Sequence, residues 1–177
     1  MKLTFLLLFY ALSSNFTHAE TFFGAGGGYT KFSVDYVSTP SFEFEDQVTN
    51  GKIFLGYEFN SLKGIAKFET SYDYYGAWNP NNHEDKLSSF SIVWTPSFEL
   101  TSQTFITARL GAFMWNSDIP SENKIFESQG GNGIDIFYGI SFETPLVDNL
   151  SIRFDYDVHD IEYVQFDTFM ILLTLSF

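Results

Sequence analysis

The chain reads as an all-β protein, an eight-stranded antiparallel transmembrane up-and-down β-barrel. Three observations predict this: dense aromatic content at near-zero mean hydropathy, repeated apolar–polar alternation with period two, and segments of about ten residues separated by turn-forming clusters. Among its 177 residues are 22 Phe, 10 Tyr and 3 Trp, an aromatic share of 20% that excludes disorder and is unusual for a water-soluble domain. Mean hydropathy is close to zero, which excludes a bundle of membrane helices. A barrel wall that alternates between lipid and lumen averages to such a value.

The first segment has the features of an export signal. Lys2 supplies a positive start, Leu3–Leu12 is an apolar run too short to span a bilayer, and Ser13-Ser14-Asn15 interrupts it. Thr17-His18-Ala19 approximates a small-x-small cleavage pattern. The expected organisation is therefore a signal peptide over 1–19 and a barrel domain over 20–177. The chain has no Cys, which excludes disulfides, thiolate metal sites and thiol catalysis. A formal charge of −13 argues against nucleic acid as a partner.

Eight strands follow from the alternation: Thr21–Ser33, Gly51–Asn60, Gly64–Tyr75, Lys86–Thr95, Thr104–Trp115, Gly133–Glu143, Leu150–His159 and Phe166–Phe177. In the second, Ile53, Leu55, Tyr57 and Phe59 share a face; in the fifth, Ile106, Ala108, Leu110, Ala112 and Met114 do; in the sixth, Ile134, Ile136, Tyr138, Ile140 and Phe142 do. Ten residues is the length a tilted strand needs to cross the hydrocarbon, and an even strand number lets an antiparallel sheet close without an edge. The connections after strands 1, 3, 5 and 7 (34–50, 76–85, 116–132 and 160–165) are mostly longer than those after strands 2, 4 and 6 (61–63, 96–103 and 144–149), and they hold most of the acidic excess. That asymmetry predicts acidic extracellular loops and both mature termini in the periplasm of a Gram-negative envelope. Tyr29, Tyr72, Tyr74 and Phe169 would form the outer aromatic belt, and Tyr57, Phe59, Trp94 and Phe177 the periplasmic one.

The opposite faces are expected to be small or charged. They hold Gly24, Gly26 and Gly28, four cations (Lys52, Lys67, Arg109, Arg153) and seven anions (Glu58, Glu69, Asp73, Asp135, Glu143, Asp155, Asp157). Charges confined to a narrow lumen should be bridged, because an unpaired one is costly. Two roles fit such a network: interior filling, since side chains nearly plug an eight-stranded barrel, or a gated ion path. The chain ends on Phe169, Ile171, Leu173, Leu175 and Phe177, an alternation into a terminal aromatic. It resembles the C-terminal signal read by the outer-membrane assembly machinery, with Leu175 where a Tyr is common.

Other motifs point to no catalytic centre, and no cofactor or metal is expected. Gly24-Ala25-Gly26-Gly27-Gly28 lacks the final Gly and the following helix of a phosphate loop. His18 leaves with the signal, His83 stands in an acidic loop, and His159 is out of phase with the lipid-facing set, with no nearby Ser as nucleophile. The acidic loops show no EF-hand spacing.

Several segments resemble the transmembrane domain of the OmpA family. Ala66–Gly76 resembles its third strand, Ala108–Trp115 its fifth, and Tyr138–Val158 its sixth and seventh. On that resemblance Glu69, Arg109, Glu143 and Arg153 match interior charged positions, which family members use as an electrostatic latch. Ser91 or Ile92 stands where a lumen lysine is expected, which implies a rewired or missing latch. The peptidoglycan-binding domain of full-length relatives has no counterpart, so the architecture is closer to short OmpX-like or porin-like barrels. The resemblance implies a structural or surface-interaction barrel, with a narrow porin-like channel as the alternative and a lipid A-modifying enzyme third. Outer-membrane lipids, lipopolysaccharide and the assembly machinery are the expected partners of a monomer.

Overall fold

The computed structural model describes residues 19–35, 43–61, 64–78, 85–101, 104–117, 131–161 and 164–177. The expected signal peptide, apart from Ala19, lies outside them, as do His18, His83 and parts of several expected loops. The described chain forms eight strands: β1 (Ala19–Asp35), β2 (Glu43–Ser61), β3 (Gly64–Trp78), β4 (Asp85–Thr101), β5 (Thr104–Ser117), β6 (Asn132–Val147), β7 (Leu150–Ile161) and β8 (Val164–Ser176). Each pairs antiparallel with the next, and β1 also pairs with β8, so the sheet closes on itself. Closure leaves no row of unpaired backbone groups, the condition for placing strands in lipid.

The strands run longer than the alternation indicates. The expected first loop, 34–50, loses 43–50 to β2, which pairs there with Gly28–Asp35 of β1. The expected turns 96–103 and 144–149 shrink to two residues each, and so does the expected loop 160–165. Apolar periodicity marks only the part of a strand that must face an apolar medium, so a strand extending beyond that band keeps its hydrogen bonds and loses its pattern. Asp35, Glu43, Glu45 and Asp46, read as loop charge, therefore stand in paired strand.

One end of the barrel carries two-residue connections, 62–63, 102–103 and Asp148–Asn149, together with the C-terminus and the start of β1. The other end carries 36–42, 79–84, 118–130 and 162–163. At this second end the β3–β4 register shifts between Tyr74 and Ala77. Gly76 sits inside that bulge at φ 88°, a left-handed conformation that favours glycine. A Cβ there would also lie 2.4 Å from the Thr49 carbonyl oxygen.

Alternation sorts the side chains cleanly. Phe23, Ile53, Leu55, Phe68, Ile92, Leu110, Ile136, Ile140 and Leu173 are exposed on the outer wall. Tyr29, Tyr72 and Tyr74 are exposed towards the end with the longer connections, and Tyr57, Trp94 and Phe177 towards the other. Next to the seam, the Phe177 amide donates to the Thr21 carbonyl at 2.9 Å and the Ser176 amide to Asn149 at 2.9 Å.

Candidate functional site

The lumen is filled in layers. Nearest the longer connections, Phe32, Tyr75, Leu87, Phe113, Trp115, Phe137, Ile161 and Phe166 form a buried apolar cluster. His159 lies inside it, stacked on Phe166 (centroids 4.5 Å apart, rings 4° from parallel) and on Phe137 (4.8 Å, 17°). Phe113 and Tyr75 meet its ring edge-on at 5.0 and 5.5 Å. The Tyr75 hydroxyl bridges Ser89 Oγ (3.0 Å) and His159 Nε2 (3.3 Å). His159 is thus a packed interior ring, and the hydroxyl it meets among the described residues, that of Tyr75, is buried with it.

This aromatic layer corrects the expectation that inward faces are small or charged. Large rings fit because glycines stand opposite them. A Cβ on Gly24 would lie 2.2 Å from the Phe54 ring, one on Gly56 2.4 Å from Phe22, one on Gly111 2.3 Å from Phe137, and one on Gly133 2.7 Å from Trp115. The glycines of β1 therefore serve close packing rather than phosphate binding. The signal was present in strand parity: Phe54 shares a face with Lys52, Phe113 with Arg109, and Phe137 with Asp135. An inner aromatic and an outer one differ only by that parity.

Below the apolar layer lies a charged network with almost no solvent access. Glu69 is its hub. Arg153 Nη1 donates to it at 2.7 Å, Lys52 Nζ lies 3.3 Å away and Arg109 Nη2 3.5 Å away. Arg109 also reaches Asp157 (2.8 Å, Nε) and Asp155 (3.1 Å). Arg153 reaches Asp155 at 2.9 Å. Asp73 takes Lys52 at 3.5 Å and the Ser71 hydroxyl at 2.5 Å. Each cation touches more than one acid, as burial demands, since an ion removed from water is tolerable only with partners of opposite sign.

A second apolar cluster, Phe22, Phe54, Met170 and Leu172, packs beside this network towards the short-turn end. The Arg153 guanidinium sits 4.2 Å above the Phe54 ring, and the Lys67 ammonium 5.4 Å from the Phe22 ring. Beyond it, Lys67 bridges Glu143 (2.8 Å) and Glu58 (3.1 Å), while Ser151 donates to Glu143 at 2.6 Å. These groups line a cavity of about 180 Å³ at the barrel mouth, with Ser97, Phe105 and Asn149 among its walls.

The described inward side chains of β4 carry no charge: Ser89, Ser91, Thr95 and Ser97 supply hydroxyls, and Ile92 points outward. Ser91 is bonded to Ser71 at 2.6 Å, and Ser97 to Thr107 at 2.8 Å. Glu143 takes its cation from β3, through Lys67, and Glu69 takes Lys52 from β2 in addition to the arginines. Asp135 accepts a hydrogen bond from Trp115 Nε1 at 2.7 Å. Among the described residues no cluster of His, Asp and Glu has the arrangement of a metal site.

A closed eight-stranded sheet with an apolar outer wall and a filled, polar-cored lumen is an integral membrane β-barrel. The family model of the OmpA-like transmembrane domain matches residues 17–165, and the chain belongs to that family of outer-membrane barrels. Among solved structures it is similar to Ail, the attachment invasion locus protein of Yersinia pestis, in complex with the heparin analogue sucrose octasulfate, at 16% identity and a TM-score of 0.60 over 91% of this chain and 100% of that one. It is also similar to Neisserial surface protein A, at 16% identity and 0.62 over 90% and 99%, and to OprG of Pseudomonas aeruginosa, at 13% and 0.51 over 90% and 97%. These likenesses are of fold. No curated protein matches the sequence.

Proposed function

We propose that this outer-membrane barrel is a structural or surface-interaction protein whose sealed lumen serves as a rigid core for the connections at one end. The observation that carries this reading is the filled lumen: the ion-paired network packs against two apolar clusters, so a hydrated ion would have to break buried salt bridges and displace aromatic rings to pass. In planar bilayers the folded protein should show no conductance steps. Stable open-channel currents would overturn the reading in favour of a narrow pore.

The end carrying 36–42, 79–84, 118–130 and 162–163 faces the exterior in this proposal, and both mature termini face the periplasm. Acidic residues within and beside those connections then form the presented surface, and outer-membrane lipid and lipopolysaccharide surround the wall of a monomer. An epitope inserted in 118–130 should be stained on intact cells, whereas one inserted at 102–103 should need permeabilisation. The reading includes removal of 1–19, so N-terminal sequencing of envelope protein should begin at Glu20. It also includes recognition of the Phe169–Phe177 alternation by the assembly machinery, and it assigns the chain no catalysis.

A further inference from the structure

Among the described residues, the charges of the middle network do not balance. Its cations are Lys52, Arg109 and Arg153, and its acids are Glu69, Asp73, Asp155 and Asp157. With every group ionised, three positive charges face four negative ones. The side chains of all seven are at most 4% exposed. The neighbouring Lys67 group adds no compensating cation: Lys67 meets two acids, Glu143 and Glu58, and Glu58 is 26% exposed at the mouth. An uncompensated charge in such surroundings is removed by protonation in preference to being buried.

The distances identify the acid. Asp157 accepts a charge-assisted bond from Arg109 Nε at 2.8 Å. Asp155 has two guanidinium groups within 3.1 Å. Glu69 has Arg153 at 2.7 Å and two further cations. Among the described residues, the one cation paired with Asp73 is Lys52, at 3.5 Å, and Lys52 lies nearer to Glu69. Its shortest contact is instead a hydroxyl, Ser71 Oγ at 2.5 Å, and Ser71 continues to Ser91 Oγ at 2.6 Å.

We infer that the sealed network is a binding site for one proton, carried on the Asp73 carboxyl. The acid O–H donates to Ser71, which donates to Ser91; hydroxyls exchange donor and acceptor roles without moving a heavy atom. Among the described residues, the charged and titratable groups around Asp73 are Lys52 of β2, Glu69 and Tyr75 of β3, Arg109 of β5, and Asp157 and His159 of β7, while β4 contributes the hydroxyls of Ser89 and Ser91. With Asp73 neutral, three cations meet three anions and Lys52 belongs to Glu69.

Infrared spectra of the folded barrel in phospholipid vesicles at neutral pH test this. The expected result is the carbonyl band of a buried carboxylic acid, lost in Asp73→Asn, with the urea midpoint of that variant equal to or above that of the wild type. Absence of the band, its survival in Asp73→Asn, or a fall in midpoint as large as that of Glu69→Gln would overturn the proposal. Should Asp73→Asn fail to fold, Ser71→Ala decides: the band must move to higher frequency as the acid loses its hydrogen-bond partner, and an unmoved band refutes the assignment.

Discussion

Each strand of this barrel presents two faces made by the same backbone and held to opposite standards. On the outer wall, Ile136 is 70% exposed and its environment is lipid, a solvent that accepts any apolar side chain. On the inner wall, Glu69 is 2% exposed and meets Arg153, Lys52 and Arg109 at fixed distances, while Trp115 fills the space that Gly133 leaves open. The outer face therefore requires a class of residue and the inner face requires particular residues. Removing an outer group changes a contact with a fluid; removing an inner one leaves a charge or a void that nothing can flow in to cover.

Phe177 is the strongest challenge to that contrast. It is 70% exposed on the outer side, yet its amide bonds to Thr21 and its ring ends the proposed assembly signal. Deleting Phe177 should lower the yield of heat-modifiable barrel in cells more than any inner substitution does, whereas Asn82→Ala, outside the described residues, should leave the yield unchanged. Equal yields would remove the assembly role and restore the simple rule.

Glu69→Ala should follow in size. It removes an acid shared by three cations, and breaking a buried pair costs about 3–5 kcal/mol. Closed backbone pairing should still keep the barrel folded, so urea titration of the refolded protein should show a lower midpoint rather than failed insertion. An unchanged midpoint would mean that the lumen charges are solvated filler.

Gly133→Ala should cost less, about 1–3 kcal/mol from overpacking, because its Cβ would press on the Trp115 ring alone among its nearest neighbours. Combining it with Trp115→Phe should recover part of that loss, and a double-mutant cycle measures the coupling. Simple additivity would show that ring and glycine are not fitted to each other. The smallest effect belongs to Ile136→Leu on the outer wall, expected within about 0.5 kcal/mol by the same titration.

The strand number, the outward side chains and the inward placement of Lys52, Glu69, Arg109 and Arg153 were legible in the sequence. All follow from period two, which is a local property of an extended backbone. Strand ends were not legible where the barrel continues past the apolar band: 43–50 lacks the alternation yet pairs with β1, because backbone pairing does not require an apolar outer face. The inner aromatics were marked by parity alone, Phe54 with Lys52 and Phe113 with Arg109, since by residue type they look like further belt residues. What tertiary structure alone decided is who meets whom across the lumen. Glu69 and Arg153 stand 84 residues apart in the chain, and Lys67 and Glu143 stand 76 apart. Parity tells each which side to face, but only closure of the sheet, with its particular registers, brings the members of each pair to the same depth and assembles the ion-paired groups from five strands.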